Sequence, residues 1–287
     1  MTYCLGIVTK HGLVMASDSR TNAGYDQINT TKKMHEFVQP GERVFVLLAS
    51  GSLSLTQSIV TLLRRDFDAG KGLATAGSMY EAARVVGEQV RKVSELDRAA
   101  LERDEYRFNV HLILGGQVKG EKPDLFLVYP QGNPLQATED SPYLQIGETK
   151  YGRPILDRGI RFDRTTLEEA AKYALLSMDS TMKSNVTVGP PIDLIVLQPD
   201  ELSIRLQHRF AENDPSLLKI RNRWEQALRQ AVLKLPNIRF RVQPDTPSDA
   251  AQESIELVEG TDSTSADLQP QQAQHQRMQG RADETRR

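Results

Sequence analysis

The sequence predicts an α+β protein in which two antiparallel β-sheets are stacked between layers of helices. First, the opening fifty residues alternate short β-branched, apolar runs with turn signals, which is typical of an antiparallel meander. Second, two consecutive segments with helical periodicity follow this meander. Third, strands come in blocks and helices in pairs, and the chain contains neither GxGxxG nor GxxxxGK[ST]. The order argues against a doubly wound nucleotide-binding fold.

The meander begins at the N-terminus itself. Residues 2–9 are mostly β-branched and apolar, and the turn residues Lys10-His11-Gly12 separate them from a second run, Leu13–Ser17. These two runs predict a β-hairpin. Two further strands are predicted over residues 30–37 and 43–49, on either side of a Pro-Gly turn.

The period of the apolar residues then changes from strand-like to helix-like. Apolar residues spaced by three and four positions predict a helix over 53–67, and a longer one is predicted over 80–101. Strands are predicted over 108–114, 125–129 and 143–146.

The remaining elements are a helix, a hairpin and a last helix. The helix over 166–182 has Thr165 or Thr166 as its N-cap, with two glutamates in its first turn. A closing hairpin is predicted from 192–197 and 202–206, and a final helix from 215–234 begins with a proline.

The composition changes at Pro244. The 287 residues include 36 Lys and Arg against 38 Asp and Glu, a net charge of −2. From 244 to 287 there is no aromatic residue, the net charge is −5, and 268–279 is rich in Gln. Such a segment buries too little apolar area to offset its ordering entropy. We expect one domain over 1–243 and a disordered tail over 244–287, with a short helix near 250–258.

Several classes of protein are excluded by the same composition. A near-zero net charge argues against a nucleic-acid-binding protein, and no apolar run approaches the length of a membrane span. The N-terminus lacks the basic and apolar regions of a signal peptide, so we expect a cytoplasmic protein. The single cysteine, Cys4, excludes a disulfide framework, and the scattered histidines have no metal-ligand spacing. We therefore expect no metal and no organic cofactor.

Thr2 is the first residue with a specific chemical interpretation. Removal of Met1, which requires a small second residue, leaves Thr2 with a hydroxyl and a free α-amine. An α-amine has a pKa of about 7.7–8.0 and can take the hydroxyl proton, so one residue supplies both nucleophile and base. Many chains begin Met-Thr, so this signal depends on its context.

The predicted hairpin supplies that context. The end of the second strand lies near the start of the first, which brings Asp18 close to Thr2. Lys33, at the start of the third segment, can pair with Asp18 and lower the pKa of the Thr2 hydroxyl and amine. A turn cap at Asp18 and a solvated lysine at Lys33 are the simpler alternatives.

With these residues the sequence resembles the proteasome β-type subunits, and among them the bacterial Anbu (ancestral β-subunit) peptidases. The resemblance covers about residues 2–243. The segments that carry it are Ala16–Gly24, Lys32–His35, Ile146–Gly152, Ser177–Ser180 and Val188–Asp193. It implies the N-terminal nucleophile hydrolase fold, a four-layer αββα sandwich.

The resemblance also implies roles for matched residues. Thr2 would be the nucleophile, with Asp18 and Lys33 orienting and charging the site. Alternation of side chains places Lys33 and its neighbour Lys32 on opposite faces, and Lys33 is our choice. The oxyanion hole would come from backbone N–H groups near Ala49–Ser52. The N–H of Gly51 is our choice, although the N–H of Leu48 is an alternative donor.

Two departures from the family pattern affect the rest of the site. Asp179 would be the second acid and Ser184 or Ser180 the hydroxyl. The stretch from Asp179 is two residues longer than the usual Asp-x-x-Ser-Gly, however. In addition, Glu148 follows Gly147 where the family has a serine.

The resemblance implies a threonine-type peptidase that cleaves peptides or unfolded proteins inside a ring or ring-like homo-oligomer. An ATPase unfoldase partner is not identifiable from the sequence. The departures motivate two alternatives, namely a catalytically weak or inactive β-like assembly subunit and an N-terminal nucleophile amidase acting on small amides.

Overall fold

The computed structural model describes residues 2–22 and 28–241. The chain divides into two units, Met1–Leu235 and Pro236–Arg287. In the second unit only residues 236–241 are described, and they are exposed and form neither helix nor strand. The short helix expected near 250–258 lies outside the described residues, and the domain boundary at 243/244 stays a prediction.

The first unit contains the predicted strands and helices in order, together with elements that were not predicted, among them a strand over Pro134–Gln136 and a helix over Arg153–Gly159. The strands are β1 Tyr3–Thr9, β2 Gly12–Asp18, β3 Arg20–Asn22, β4 Ile28–Thr30, β5 Met34–Gln39, β6 Arg43–Gly51, β7 Val110–Val118, β8 Asp124–Val128, β9 Pro134–Gln136, β10 Tyr143–Gly147, β11 Ile192–Leu197 and β12 Leu206–Phe210. The helices are α1 Leu53–Asp68, α2 Met79–Arg103, α3 Arg153–Gly159, α4 Leu167–Ser184 and α5 Pro215–Leu233, with a short 3₁₀ turn at Gly72–Ala74.

The long strands form two five-stranded sheets. One has the order β10-β1-β2-β11-β12 and the other β5-β6-β7-β8-β9, and β3 pairs with β4 in a small separate ribbon. Neighbouring strands within each sheet are antiparallel. The N-terminal strand β1 therefore lies inside a sheet, with β2 on one side and β10 on the other.

Three apolar clusters separate four layers. One lies between the β5–β9 sheet and helices α1 and α2, one between the two sheets, and one between the β1-containing sheet and α3, α4 and α5. Strand β1 contributes side chains to two clusters, because successive side chains point to opposite faces of the sheet. Tyr3, Leu5 and Ile7 pack toward the helices, while Cys4 and Val8 pack toward the other sheet. The expected αββα arrangement is confirmed.

Two predicted strands are wrong in detail. Residues 30–37 do not form one strand, because β4 ends at Thr30 and β5 begins at Met34. The Lys33 ammonium between them binds the backbone oxygen of Arg20 rather than pointing to solvent. The hairpin partner predicted at 202–206 instead begins at Leu206, after a loop in which Asp200 and Leu202 adopt positive φ values.

Helix α4, which packs across β1 and β2, begins as the sequence indicates. The Thr166 hydroxyl accepts a hydrogen bond from the Glu169 N–H at 3.2 Å. The Glu169 carboxylate accepts one from the Thr166 N–H at 2.9 Å. This reciprocal capping box satisfies two backbone donors at the start of the helix.

We expect Gly87→Ala to destabilise the fold even though alanine favours helices. A Cβ at Gly87 would lie 1.9 Å from the backbone oxygen of Gly132, which cannot retreat as a flexible side chain could. We expect the free energy of unfolding to fall by about 1–3 kcal/mol, measured by chemical denaturation. Glu88→Ala, at the next and exposed position of α2, is the control and should change stability little. A stabilised Gly87→Ala protein would contradict this close contact.

Candidate active site

Thr2 is held by backbone contacts on both of its sides. Its carbonyl oxygen accepts a hydrogen bond from the Glu148 N–H at 2.7 Å. The N–H of the next residue, Tyr3, donates to Asp18 Oδ1 at 3.0 Å. The Tyr3 hydroxyl bonds to Ser177 Oγ at 2.6 Å, and burial raises the pKa of Tyr3 to about 12. The backbone at Thr2 is thus fixed by β10, β2 and α4.

Asp18 and Lys33 form a buried ion pair next to Thr2. Lys33 Nζ lies 2.7 Å from Asp18 Oδ1, and the two side chains are 7% and 0% exposed. The other carboxylate oxygen accepts the Gly189 N–H at 3.3 Å. Burial raises the pKa of Asp18, whereas the Lys33 ammonium and the N–H groups of Tyr3 and Gly189 lower it. The structure thus brings Asp18 and Lys33 together as predicted, whereas the Lys32 side chain is 61% exposed.

Two glycines allow the backbone to approach closely around Thr2. Gly147 has φ +84°, and a Cβ there would lie 1.9 Å from the carbonyl oxygen of Thr2. Gly51 has φ +119°, and a Cβ there would lie 2.2 Å from the backbone oxygen of Asn109. Both positions require a residue without a side chain. The role of Gly51 as an oxyanion donor stays a prediction.

Two cavities meet at Thr2. The smaller lies between the start of β5, the end of β6 and the start of α1, and both Lys33 and Gly51 line it. The larger is lined by residues of β6, β7 and β10. Thr2, Ser50 and Gly51 belong to both cavities. A chain held at Thr2 can therefore extend into either cavity.

Each cavity also contains a histidine that sequence reasoning did not assign to the site. His35 lines the smaller cavity, and burial together with the charges of Lys32 and Arg64 lowers its pKa to about 4. His111 lines the larger cavity, and burial lowers its pKa. Alternation along β5 and β7 could have indicated which histidines face inward, but not that they face Thr2.

Asp179 and Ser184 are placed away from these cavities. The Asp179 carboxylate is buried in α4 and pairs with the Arg221 guanidinium of α5. Ser184 is the last residue of α4 and is exposed. Neither residue lines a cavity that contains Thr2, and their assignment to the site stays a prediction without a contact to support it. The sequence pattern could not reveal this, because the partner of Asp179 comes from α5, a separate helix 42 residues further along the chain.

Glu148, whose backbone N–H bonds to the Thr2 carbonyl, pairs through its side chain with Asn185. The Glu148 side chain is buried, and its Oε2 accepts a hydrogen bond from Asn185 Nδ2 at 3.1 Å. Asn185 Oδ1 in turn accepts the Thr187 N–H at 3.0 Å. The replacement of serine by Glu148 was visible in the sequence, but its pairing with an amide just beyond α4 was not.

Within residues 2–22 and 28–241, no cluster of three or more His, Cys, Asp or Glu side chains could hold a metal ion. In the same part of the chain, no helix is both long and apolar enough to cross a membrane.

This geometry agrees with comparisons to known proteins. The family model described as "Proteasome subunit" matches residues 2–197. The chain belongs to the proteasome subunit family. Among curated proteasome subunits, it is 26% identical to the proteasome subunit beta of Haloferax volcanii over 210 residues, which are 73% of this chain and 78% of that one.

Solved structures of bacterial Anbu proteins are more similar to this proteasome subunit. Anbu from Yersinia bercovieri is 46% identical with a TM-score of 0.78, and the match covers 84% of this chain and 100% of that chain. A Pseudomonas aeruginosa structure titled "Helical Assembly of the Anbu Complex" is 42% identical with a TM-score of 0.78, covering 83% and 98%. The expected N-terminal nucleophile hydrolase fold is confirmed.

We expect Asp18→Asn to destabilise this proteasome subunit strongly. The substitution leaves the buried Lys33 ammonium without a counter-charge, so the free energy of unfolding should fall by about 3–5 kcal/mol in denaturant titrations. The control is Glu42→Gln, since the Glu42–Lys119 pair is exposed at 3.6 Å and should cost about 1 kcal/mol or less. Asp18→Asn with Lys33→Met should recover part of the loss. Equal losses in Asp18→Asn and the control would rule out a buried ion pair.

We also expect His35 to make stability depend on pH. Its pKa in the folded protein is about 4 against an ordinary 6.5, so the unfolded chain takes up this proton first as the pH falls. The contribution of His35 to the free energy of unfolding is present in full above about pH 6.5 and is lost as the pH falls from 6.5 to 4. The wild type should therefore lose stability relative to His35→Gln when the two are compared at pH 7.5 and at about pH 5. A difference that does not change with pH would contradict the lowered pKa.

Proposed function

We propose that this proteasome subunit is a threonine-type peptidase whose nucleophile is Thr2, exposed by removal of Met1. One observation carries the proposal. Thr2 borders two cavities, and the N–H of the following residue is bonded to the buried Asp18–Lys33 pair. We assign this activity to residues 1–243 and treat 244–287 as an extension outside it.

The proposed reaction is acyl transfer to the Thr2 hydroxyl. The free α-amine, with an ordinary pKa of about 7.7–8.0, accepts the hydroxyl proton as Oγ1 attacks the carbonyl carbon. The Lys33 ammonium supplies positive potential next to the hydroxyl, and Asp18 holds that ammonium in place. The backbone N–H of Gly51 is the proposed donor to the oxyanion.

The amine then returns its proton to the leaving nitrogen, and the C–N bond of the substrate breaks. Water, activated by the same amine, hydrolyses the resulting ester and regenerates Thr2. This sequence of steps uses no metal and no organic cofactor. The substrate is a peptide or an unfolded protein.

A homo-oligomer is part of the proposal. The similar Pseudomonas aeruginosa protein is described as a helical assembly of the Anbu complex, and we propose a ring-like or helical assembly for this chain as well. An assembly restricts access to Thr2, which limits indiscriminate cleavage.

A second candidate function is an assembly or binding subunit with a weak site. Three observations favour it, namely the Asp179–Arg221 pair, the exposed Ser184 and the serine replaced by Glu148. Reaction with a peptide epoxyketone separates the two functions, because this warhead reacts with both the hydroxyl and the amine of an N-terminal threonine. Intact mass must first establish that Met1 is absent. An unmodified Thr2 in such a processed protein would favour the second function.

We expect Thr2→Ala to abolish hydrolysis of fluorogenic peptides and formation of the probe adduct, because the nucleophile is lost. Thr2→Ser keeps a hydroxyl and an α-amine, so it should retain measurable activity. Thr9→Ala, at the opposite end of β1, is the control and should remain active. Full activity of Thr2→Ala, or of protein shown by mass spectrometry to retain Met1, would overturn the mechanism.

A further inference from the structure

The smaller cavity at Thr2 has a mixed lining that includes positive charge. Among the described residues that line it, two are lysines and none carries a carboxylate. Thr21, Thr31 and Gln57 contribute hydroxyl and amide groups, and Ala49 and Leu53 contribute apolar surface. The lining therefore combines apolar surface with hydrogen-bonding groups and two positively charged side chains.

The two lysines have different roles because their partners differ. Lys33 is buried and donates to Asp18 at 2.7 Å, so its charge is balanced inside the protein. Lys32 is 61% exposed, and its only ion-pair contact in the described chain is to Glu36 at 3.7 Å. Because this ion pair is long and exposed to solvent, another carboxylate can replace Glu36 as the partner of Lys32. The Lys32 ammonium is therefore available to a substrate.

The pKa of His35 depends on the charges around the same cavity. After burial, the causes that lower its pKa to about 4 are the positive charges of Lys32 and Arg64. Arg64 comes from α1 and lies over the Phe37 ring, 4.2 Å from its centre. Burial opposes a charge of either sign at this position, so only the part of the effect that comes from Lys32 and Arg64 depends on sign. Those two positive charges oppose a protonated imidazole and would favour an anion.

The position of the cavity relative to Thr2 decides which part of a substrate enters it. Thr2, Ser50 and Gly51 line both cavities, so a peptide bond at Thr2 is next to both of them. The smaller cavity has room for a few water molecules, about the size of one short side chain, whereas the larger one accommodates more of the chain. A side chain next to the cleaved bond that enters the smaller cavity therefore meets Lys32.

We propose that the smaller cavity selects an acidic side chain, Asp or Glu, next to the cleaved bond, with Lys32 as the specificity-determining residue. As a cleavage preference, this inference rests on the proposed peptidase function. The binding preference of the cavity itself does not require that Thr2 be reactive.

The test therefore begins with binding to the catalytically blocked Thr2→Ala protein in its assembled form. The ligands are fluorescent peptides of one sequence that end in Glu, Gln, Leu or Arg, so the terminal carboxylate is constant. We expect the Glu peptide to bind about three- to tenfold more tightly than its isosteric Gln counterpart. Raising the ionic strength should reduce this ratio, because Lys32 is exposed to solvent.

Variants of the charged residues test the assignment to Lys32. Lys32→Gln should abolish the Glu-over-Gln preference, and Glu36→Gln should increase it by removing the competing carboxylate. Lys119→Gln is the matched control, since Lys119 is also exposed and pairs with a glutamate at 3.6 Å. It should leave the ratio unchanged.

Equal binding of the Glu and Gln peptides, or a ratio that Lys32→Gln does not change, would overturn the inference. The same four terminal residues are then compared as epoxyketone probes on the processed wild-type protein. If the Glu peptide binds best but no probe modifies Thr2, the proposed catalysis fails while the binding preference stands. If all probes modify Thr2 at equal rates, the catalysis stands and the selectivity fails.

Discussion

The arrangement around Thr2 depends on a single buried carboxylate. Asp18 accepts hydrogen bonds from the Tyr3 N–H of β1, the Lys33 ammonium before β5 and the Gly189 N–H before β11. These three donors come from segments far apart in the sequence, and they converge on one fully buried group. A buried carboxylate is stable only when it is paired and hydrogen-bonded in this way. The interaction that satisfies Asp18 therefore also determines where Thr2 lies.

The close approach of backbones beside Thr2 follows from the same constraint. With β1 held between β2 and β10, the carbonyl of Thr2 comes so close to Gly147 that no side chain fits there. Gly51 meets a similar limit against Asn109 at the end of β6. Both cavities open at this junction, one toward the α1 side and one toward β7 and β10. Closely packed backbone and open space therefore meet at Thr2.

The parts of the site that follow local rules could be predicted from the sequence. The register of the hairpin brings Asp18 to the start of β1, because it depends on two strands that are neighbours in the sequence. The structure pairs Lys33 rather than Lys32 with Asp18, but both lysines precede β5, so alternation along a strand does not explain that choice. The positions of Asp179 and Ser184 depend on how α4 and α5 pack, and no local pattern encodes the Arg221 contact. The interruption between β4 and β5 likewise arises from a tertiary bond, since Lys33 reaches the backbone oxygen of Arg20.

The interior position of β1 in its sheet has a consequence for the time at which the site forms during synthesis. Thr2 is made well before its partner strand β10 and the Gly189 donor to Asp18. Non-local strand pairing of this kind can form only after the late segments have emerged. A nascent chain thus carries Thr2, the proposed nucleophile, without the surroundings that organise it. Under the proposed function, a half-made chain would lack an organised site, and its neighbours on the ribosome would be spared from cleavage until the fold is complete.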